Sequence, residues 1–170
     1  MAPRAVRVYT DPLQHAVIAA TVAAPLGRAA VRAAVTAALV IDVDHAVAAR
    51  SVRVRDTTVL DTRPRTHSLV TALAVGLVVA RARGPVQGWA VFSGLVSHLL
   101  HDAGDHAAPT PMLWPLRPAR QLGRRRQVVF TAALVAVSLV AAAASRRRTS
   151  SGGGGSGGGT APPRTASARS

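Results

Sequence analysis

The sequence contains no cysteine, and this absence excludes disulfide bonds, thiolate metal sites and cysteine nucleophiles. Lysine and glutamate are absent as well, so all 21 basic residues are arginine and all 7 acidic residues are aspartate. Aromatic residues make up only 3% of the chain although 49% of it is hydrophobic, because the apolar residues are mostly alanine, valine and leucine. This composition favours helices that pack through small residues or contact lipid. Any metal site has to be built from histidine and aspartate.

The charge of the chain is strongly one-sided, with a formal net charge of +14 and a pI near 12.0. Such a surface attracts phosphate, on lipid headgroups or on nucleic acid. Nucleic acid is not the expected partner, because few aromatic side chains are available for base stacking and no recognised motif is present. Arginines at the ends of apolar helices are typical of membrane proteins, so membrane lipids are the expected partner, and an anionic phospholipid or another phosphoester is the expected substrate.

Five apolar runs, separated by Pro, Gly and Arg-rich breaks, predict an all-α fold. They cover residues 12–27, 29–41, 68–80, 86–100 and 127–145. The last run has 19 residues without a charge and spans roughly 28 Å, which makes it the best transmembrane helix. We therefore predict a transmembrane bundle of about five helices over residues 1–148, followed by a disordered Gly/Ser-rich tail over 149–170. A soluble bundle stays open as an alternative, because helices of about 13 residues reach only about 20 Å.

The few histidines and aspartates are concentrated at the ends of these runs. If the helices run up and down, the start of the first, the end of the second, the start of the third and the end of the fourth meet at one end of the bundle. His98 and Asp102 are four residues apart and share a helical face, a spacing that suits binding of one cation. The candidate metal ligands are His15, Asp42, Asp44, His45, His67, His98 and Asp102.

These residue types predict a divalent metal, Zn or Mn, because mixed imidazole and carboxylate ligands suit both. Asp44 or Asp102 is the predicted acceptor of a proton from a metal-activated water. Arg63 and Arg65 are predicted to hold a phosphate by bidentate hydrogen bonds. Hydroxyls of Thr66 or Ser68 are expected to orient the ligands. His101, Asp105 and His106 lie off the shared face or past the helix end and are expected in solvent.

Four elements in order resemble a known family: a His in the first helix, DVDH, THSL, and SHLLHD followed by a Pro-rich stretch that ends in LWPL. Residues 12–118 are similar to the inner-membrane-bound metal-dependent hydrolases, described as LexA-binding, inner membrane-associated hydrolases. The resemblance implies that the seven candidate ligands bind metal. That family is also similar in pattern to helical zinc phospholipases and nucleases, which implies phosphoester cleavage.

The chain departs from the family at one motif, which usually reads His-Arg-Gly-x-Thr-His-Ser. Here Thr62 replaces the first His and Pro64 replaces the Gly. Two functions follow as expectations: a membrane-bound hydrolase of a phosphoester or a lipid-accessible ester, or a non-catalytic protein of the same fold with a structural metal or ion-pair site and a basic partner-binding face. More arginines are expected at the site end of the bundle than at the other end, so the positive-inside rule predicts a multi-pass protein whose site faces the cytoplasm.

Overall fold

The computed structural model describes residues 4–53, 63–105 and 109–151. Within these ranges it contains no named strand, and five helices have 13 residues or more, which confirms the all-α prediction. The helices are α1 (Arg4–Ala23), α2 (Arg28–Val40), the short α3 (Val43–Ala49), α4 (Leu69–Arg83), α5 (Pro85–Asp105) and α6 (Arg124–Ser151). Thr62, His106 and the predicted tail beyond residue 151 lie outside the described residues.

The structure extends several of the predicted helices. Helix α1 begins at Arg4 and continues through Pro12, where the prediction placed its start. Helix α5 continues five residues past the predicted end at Leu100, and this extension carries Asp102. Helix α6 runs beyond the predicted end of the domain, to Ser151. The polar residues in these extensions are compatible with helix, so the apolar runs alone underestimated helix length.

Helix α5 is the centre of the fold and packs against α1, α2, α4 and α6. Its buried residues Val91, Leu95 and Leu99 form the core together with Ala72 of α4. A second cluster joins α1 to α2 through small residues: Ala19, Ala23, Ala34 and Ala38. Small side chains let the helix axes come close together, which compensates for the scarcity of large aromatic residues.

Helix α4 and helix α5 form an antiparallel hairpin around a single residue, Gly84. Its φ of 91° lies in a region that residues with a side chain rarely adopt, so glycine is required at this turn. At the other end of α4, Ser68 is the N-cap, and its hydroxyl accepts a hydrogen bond from the backbone N–H of Thr71. This cap fixes where α4 begins and therefore where the preceding residue, His67, is held.

Helix α6 differs from the other helices in its exposure. Of the described helices, it alone has a segment, Arg124–Arg148, that is long and apolar enough to cross a membrane, and only 11% of its most apolar stretch is buried. The apolar segment Pro12–Leu26 is shorter. The structure thus supports one candidate span, and the predicted multi-span arrangement is not confirmed by helix length and composition.

Gly94 provides a test of the close packing between α2 and α5. A Cβ at this position would lie 2.8 Å from Cα of Ala34, backbone that cannot move without displacing α2. We expect Gly94→Ala to lower the free energy of unfolding by about 1–3 kcal/mol because of overpacking. Thermal unfolding in detergent, followed by circular dichroism, measures the effect. Ala29→Val, on the exposed side of α2, is the control, and equal melting temperatures for both variants would contradict the packing argument.

Candidate metal centre

The seven predicted ligands come from four separate parts of the chain, and the structure brings them together at one end of the bundle. His15 lies on α1, and His98 and Asp102 lie on α5. Asp42 is the N-cap residue of α3, and Asp44 and His45 follow in its first turn. His67 lies in the turn before α4. The convergence expected from counting antiparallel helices is therefore present in the structure.

Four of these side chains form a tight group, here called the quartet: Asp42, His67, His98 and Asp102. Oδ1 of Asp42 lies 3.3 Å from Nε2 of His98 and 3.7 Å from Nε2 of His67. Oδ2 of Asp102 lies 3.4 Å from the same His98 nitrogen and 3.6 Å from the same His67 nitrogen. Two carboxylate oxygens and two imidazole nitrogens thus face one another across a small space.

The quartet fits a divalent cation. Four ligand atoms placed tetrahedrally at about 2.0–2.2 Å from a cation are about 3.3–3.6 Å from one another. The Nε2 atoms of His67 and His98 are buried and make no hydrogen bond within the described residues. Contacts with carboxylate oxygens at 3.3–3.7 Å without a hydrogen bond compensate only part of the unfavourable burial, and a cation at the centre of the quartet would satisfy both nitrogens.

Further ligands flank the quartet on both sides. His15, His98 and Asp102 form one group that can hold a metal ion, and Asp42, His45 and His67 form another; in each, the ligand atoms lie within 4.8 Å of one another. The ring of His15 stacks on that of His98 with centroids 3.8 Å apart. Since the groups share residues with the quartet, the cluster offers room for one central ion or for two adjacent ions.

Asp44 contacts the nitrogen of His67 that does not face the quartet. Its Oδ2 is 3.0 Å from Nδ1 of His67 and also accepts a hydrogen bond from the hydroxyl of Thr66. Its Oδ1 is 3.0 Å from Nδ1 of His45. A carboxylate on the far nitrogen of a ligand histidine fixes the ring orientation and tautomer. Thr66, one of the two hydroxyls expected to orient ligands, therefore contacts this carboxylate, whereas the Ser68 hydroxyl caps α4.

The electrostatics of the α3 carboxylates reflect these contacts. Burial acts to raise the pKa of Asp42, but the imidazoles of His67 and His98 outweigh it and hold that pKa well below its usual range. For Asp44, burial is likewise outweighed by His45 and His67, which lower its pKa. Both groups are therefore carboxylates near neutral pH, the form in which they bind a cation.

The two predicted phosphate-binding arginines behave differently. The Nη1 atom of Arg63 lies 2.8 Å from Nε2 of His45 and 3.2 Å from Oδ2 of Asp102, so Arg63 belongs to the site. Arg65 is exposed, and its guanidinium lies over the ring of Trp114, 5.8 Å from the centroid. The structure thus brings Arg63 to the metal ligands and directs Arg65 to an aromatic ring on the 109–123 segment.

The prediction that His101 is solvated is wrong. Only 5% of His101 is exposed, its ring meets that of His15 edge-on, and its Nδ1 lies 3.0 Å from Nε2 of Gln127 on α6. The sequence reasoning placed His101 off the ligand face of α5 and in solvent, but its ring contacts that of His15, and α6 packs beside it. The polar Gln127 at the start of the apolar run was the available signal. The side chain of Asp105 and all of His106 lie outside the described residues.

Together, the described fold and site define an all-helical protein with one candidate membrane span and a buried His/Asp cluster that could hold a metal ion. The chain matches the model of the YdjM inner membrane protein family over residues 11–155 and belongs to that family. No curated protein and no solved structure shows significant similarity to it. The match confirms the predicted inner-membrane character; the hydrolase activity implied by the resemblance stays a prediction.

His98 and His101 provide a matched pair for testing the centre. Both are buried on α5, but His98 belongs to the quartet and His101 contacts Gln127. We expect His98→Ala to reduce metal retention at least tenfold, because it removes a ligand shared by several possible arrangements, and His101→Ala to retain the metal. Metal content of detergent-purified protein is measured by inductively coupled plasma mass spectrometry. Equal metal content in both variants would remove His98 from the ligand set.

Proposed function

We propose that this protein is a membrane-bound metal-dependent hydrolase that cleaves a phosphoester or a lipid-accessible ester with a metal-activated water. The observation that carries the proposal is the quartet, in which two carboxylates and two imidazoles face a common centre at ligand–ligand distances suited to a cation. Burial of two carboxylates at the end of a membrane-associated bundle is energetically unfavourable unless a bound cation compensates their negative charge.

The ligand set favours Zn or Mn, which both accept imidazole nitrogen and carboxylate oxygen. When bound, such a cation polarises a phosphoryl or acyl oxygen and lowers the pKa of a water toward neutrality. The other residues of the site hold these ligands in place, bind the substrate and accept the proton that the water loses. We assign these roles from the contacts that each residue makes.

The site is accessible to solvent at Asp42, because 37% of the side chain of this ligand is exposed while His67, His98 and Asp102 are fully buried. Its contacts with the histidines use Oδ1. Its second oxygen is therefore the carboxylate atom best placed to receive a proton from a water that enters from this side. Asp44 and Asp102, the acceptors expected from the sequence, have both oxygens directed toward other site residues. We assign them positioning and ligand roles.

Arg63 is the candidate substrate-binding residue. Both of its contacts in the site use Nη1, and a guanidinium carries five N–H donors on three nitrogens. A phosphoryl oxygen that enters beside Asp42 would meet this group and be held by charge-assisted hydrogen bonds. Arg65 lies over the ring of Trp114 instead of among the metal ligands, so we do not assign it this role.

The proposed topology is multi-pass, with the site end in the cytoplasm. The 21 residues of α5 and the 20 residues of α1 span about 30 Å each, close to the thickness of the hydrocarbon layer. The arginines of residues 124–126 and 146–148 bracket the apolar part of α6. Their positions fit headgroup contacts on both sides of the membrane.

A second candidate function is a non-catalytic protein in which the cluster ties helices together and the basic surface recruits a partner. The observation that favours it is Arg63, which uses one nitrogen to join His45 of α3 to Asp102 of α5. A guanidinium inserted among the ligands partly neutralises the buried carboxylates. The Thr62 and Pro64 departures from the family motif point the same way.

The hydrolase proposal is tested with chelator-treated protein in detergent, to which Zn or Mn is added back. We expect metal-dependent cleavage of bis(4-nitrophenyl) phosphate or of a 4-nitrophenyl ester, measured by nitrophenolate absorbance. Asp102→Asn, purified in the same way, controls for contaminating hydrolases and should lose both metal and activity. Stoichiometric metal without cleavage of either substrate would contradict the hydrolase and favour the structural role.

Asp44→Asn tests whether Asp44 positions His45 and His67 or binds the metal directly. The substitution keeps the side-chain shape but weakens the contacts to His45 and His67, so we expect metal to be retained within a factor of about 10–100 in affinity while cleavage falls by a similar factor. Metal titration and initial rates are measured on the same preparation. Complete loss of metal in this variant, as in Asp102→Asn, would show that Asp44 is a direct ligand.

A further inference from the structure

A cavity lies on the side of α5 that faces away from the metal centre. It encloses about 440 Å³ and is lined by α5, α6, the first residue of α4 and the 109–123 segment. Val96 and Leu100 form its wall on α5. They are offset by two positions from His98 and Asp102, which corresponds to roughly 200° around a helix, so the two sites use opposite faces of α5. The size is typical of a ligand site.

The α6 wall of the cavity is a continuous stripe. It contains Arg126, Phe130, the adjacent pair Ala133 and Leu134, and Val137, so successive turns of the helix present one face to the cavity. The stripe starts at Arg126, near the N-terminal end of the candidate membrane span, and reaches Val137, 11 residues further on. This corresponds to roughly 16 Å, about half the thickness of the hydrocarbon layer. Its length and direction match an acyl chain that enters one leaflet from the headgroup level.

The rim of the cavity is positively charged. Arg117, Arg120 and Arg126 line it and are exposed. Among the residues that the structure describes, none of these three arginines forms an ion pair with an aspartate. Three arginines at the start of a membrane span complement a phosphate group at headgroup depth.

Thr110 supplies an independent indication of a ligand. Only 1% of this residue is exposed, it lines the cavity, and its hydroxyl has no hydrogen-bond partner within the described part of the chain. A buried hydroxyl without a partner is unfavourable, and a polar oxygen of a bound molecule would satisfy it. Thr110 lies beside Arg120, whose backbone N–H donates to its carbonyl at 3.2 Å. The polar group of the ligand is thus expected near the arginines.

From the apolar stripe, the arginine rim and the unsatisfied Thr110 hydroxyl, we propose that this cavity binds one anionic phospholipid, with its phosphate on Arg117, Arg120 and Arg126 and one acyl chain along α6. The ester region of the lipid then lies within reach of the Thr110 hydroxyl. The proposal concerns a site separate from the metal centre, and it does not depend on whether that centre is catalytic.

Native mass spectrometry of the full chain in neutral detergent tests the proposal by titration with dioleoylphosphatidylglycerol. We expect one retained lipid per protein, and at least about tenfold weaker retention of dioleoylphosphatidylcholine, whose headgroup has no net charge. The double variant Arg117→Gln/Arg120→Gln should weaken phosphatidylglycerol binding by at least about tenfold. Arg81→Gln/Arg83→Gln, which removes the same charge at the end of α4 away from the metal centre, should bind as the unaltered protein does.

Ala133→Phe tests the acyl-chain part of the site. Ala133 is an exposed residue on the α6 stripe, so a larger side chain fills the cavity without disturbing the core, and metal content serves as the check on folding. We expect this variant to lose the lipid while the rim arginines remain. Unchanged lipid binding by Ala133→Phe, equal binding of the two lipids, or equal binding by the two arginine double variants would each overturn the proposal. Displacement of the lipid by millimolar inorganic phosphate would overturn it as well, because that result indicates a simple phosphate site.

Discussion

The feature on which the rest of the structure depends is the burial of Asp102. Its carboxylate is fully enclosed near the end of an apolar helix, where an uncompensated charge would be very unfavourable. Compensation comes from separate parts of the chain: His15 on α1, His67 in the turn before α4, His98 on α5 and Arg63. Since these groups come from separate elements, the carboxylate has all of them as partners only when the helix ends are packed together. Formation of the site therefore depends on the packing of the bundle at this end of the molecule.

Close helix packing makes this assembly possible with few large side chains. Ala34 of α2 lies against Gly94 of α5, and the alanines of α1 and α2 interdigitate nearby. Small residues bring the backbones together and leave little freedom for the helices to slide or rotate. A metal centre needs its ligands fixed to within a fraction of an ångström, and ligands placed at the ends of tightly packed helices meet that requirement. The low aromatic content of the sequence is thus consistent with a well-defined site.

The sequence was sufficient to predict the helical fold and the convergence of the seven candidate ligands, because both follow from the positions of apolar runs and from the alternation of helix direction. It could not distinguish ligands from residues that position them. Asp44 is separated from Asp42 by a single residue, yet α3 begins between them and directs Asp44 to the far side of His67. It also could not place α6, since nothing in the first five helices specifies the face on which the last one docks. His101 was misjudged for that reason, and the contact of Arg65 with Trp114 could not be predicted because it depends on how the 109–123 segment folds.

Helix α5 is the physical link between the two candidate sites. One of its faces carries His98 and Asp102 toward α1 and α3, and the opposite face carries Val96 and Leu100 toward α6. A helix that is apolar on one side and charged on the other cannot rotate without exposing a buried charge or an apolar wall. Its rotation is therefore fixed from both sides. Occupation of either candidate site would stabilise the same orientation of α5, so the proposed lipid beside α6 and a cation at the quartet would favour a common arrangement of the bundle by linkage.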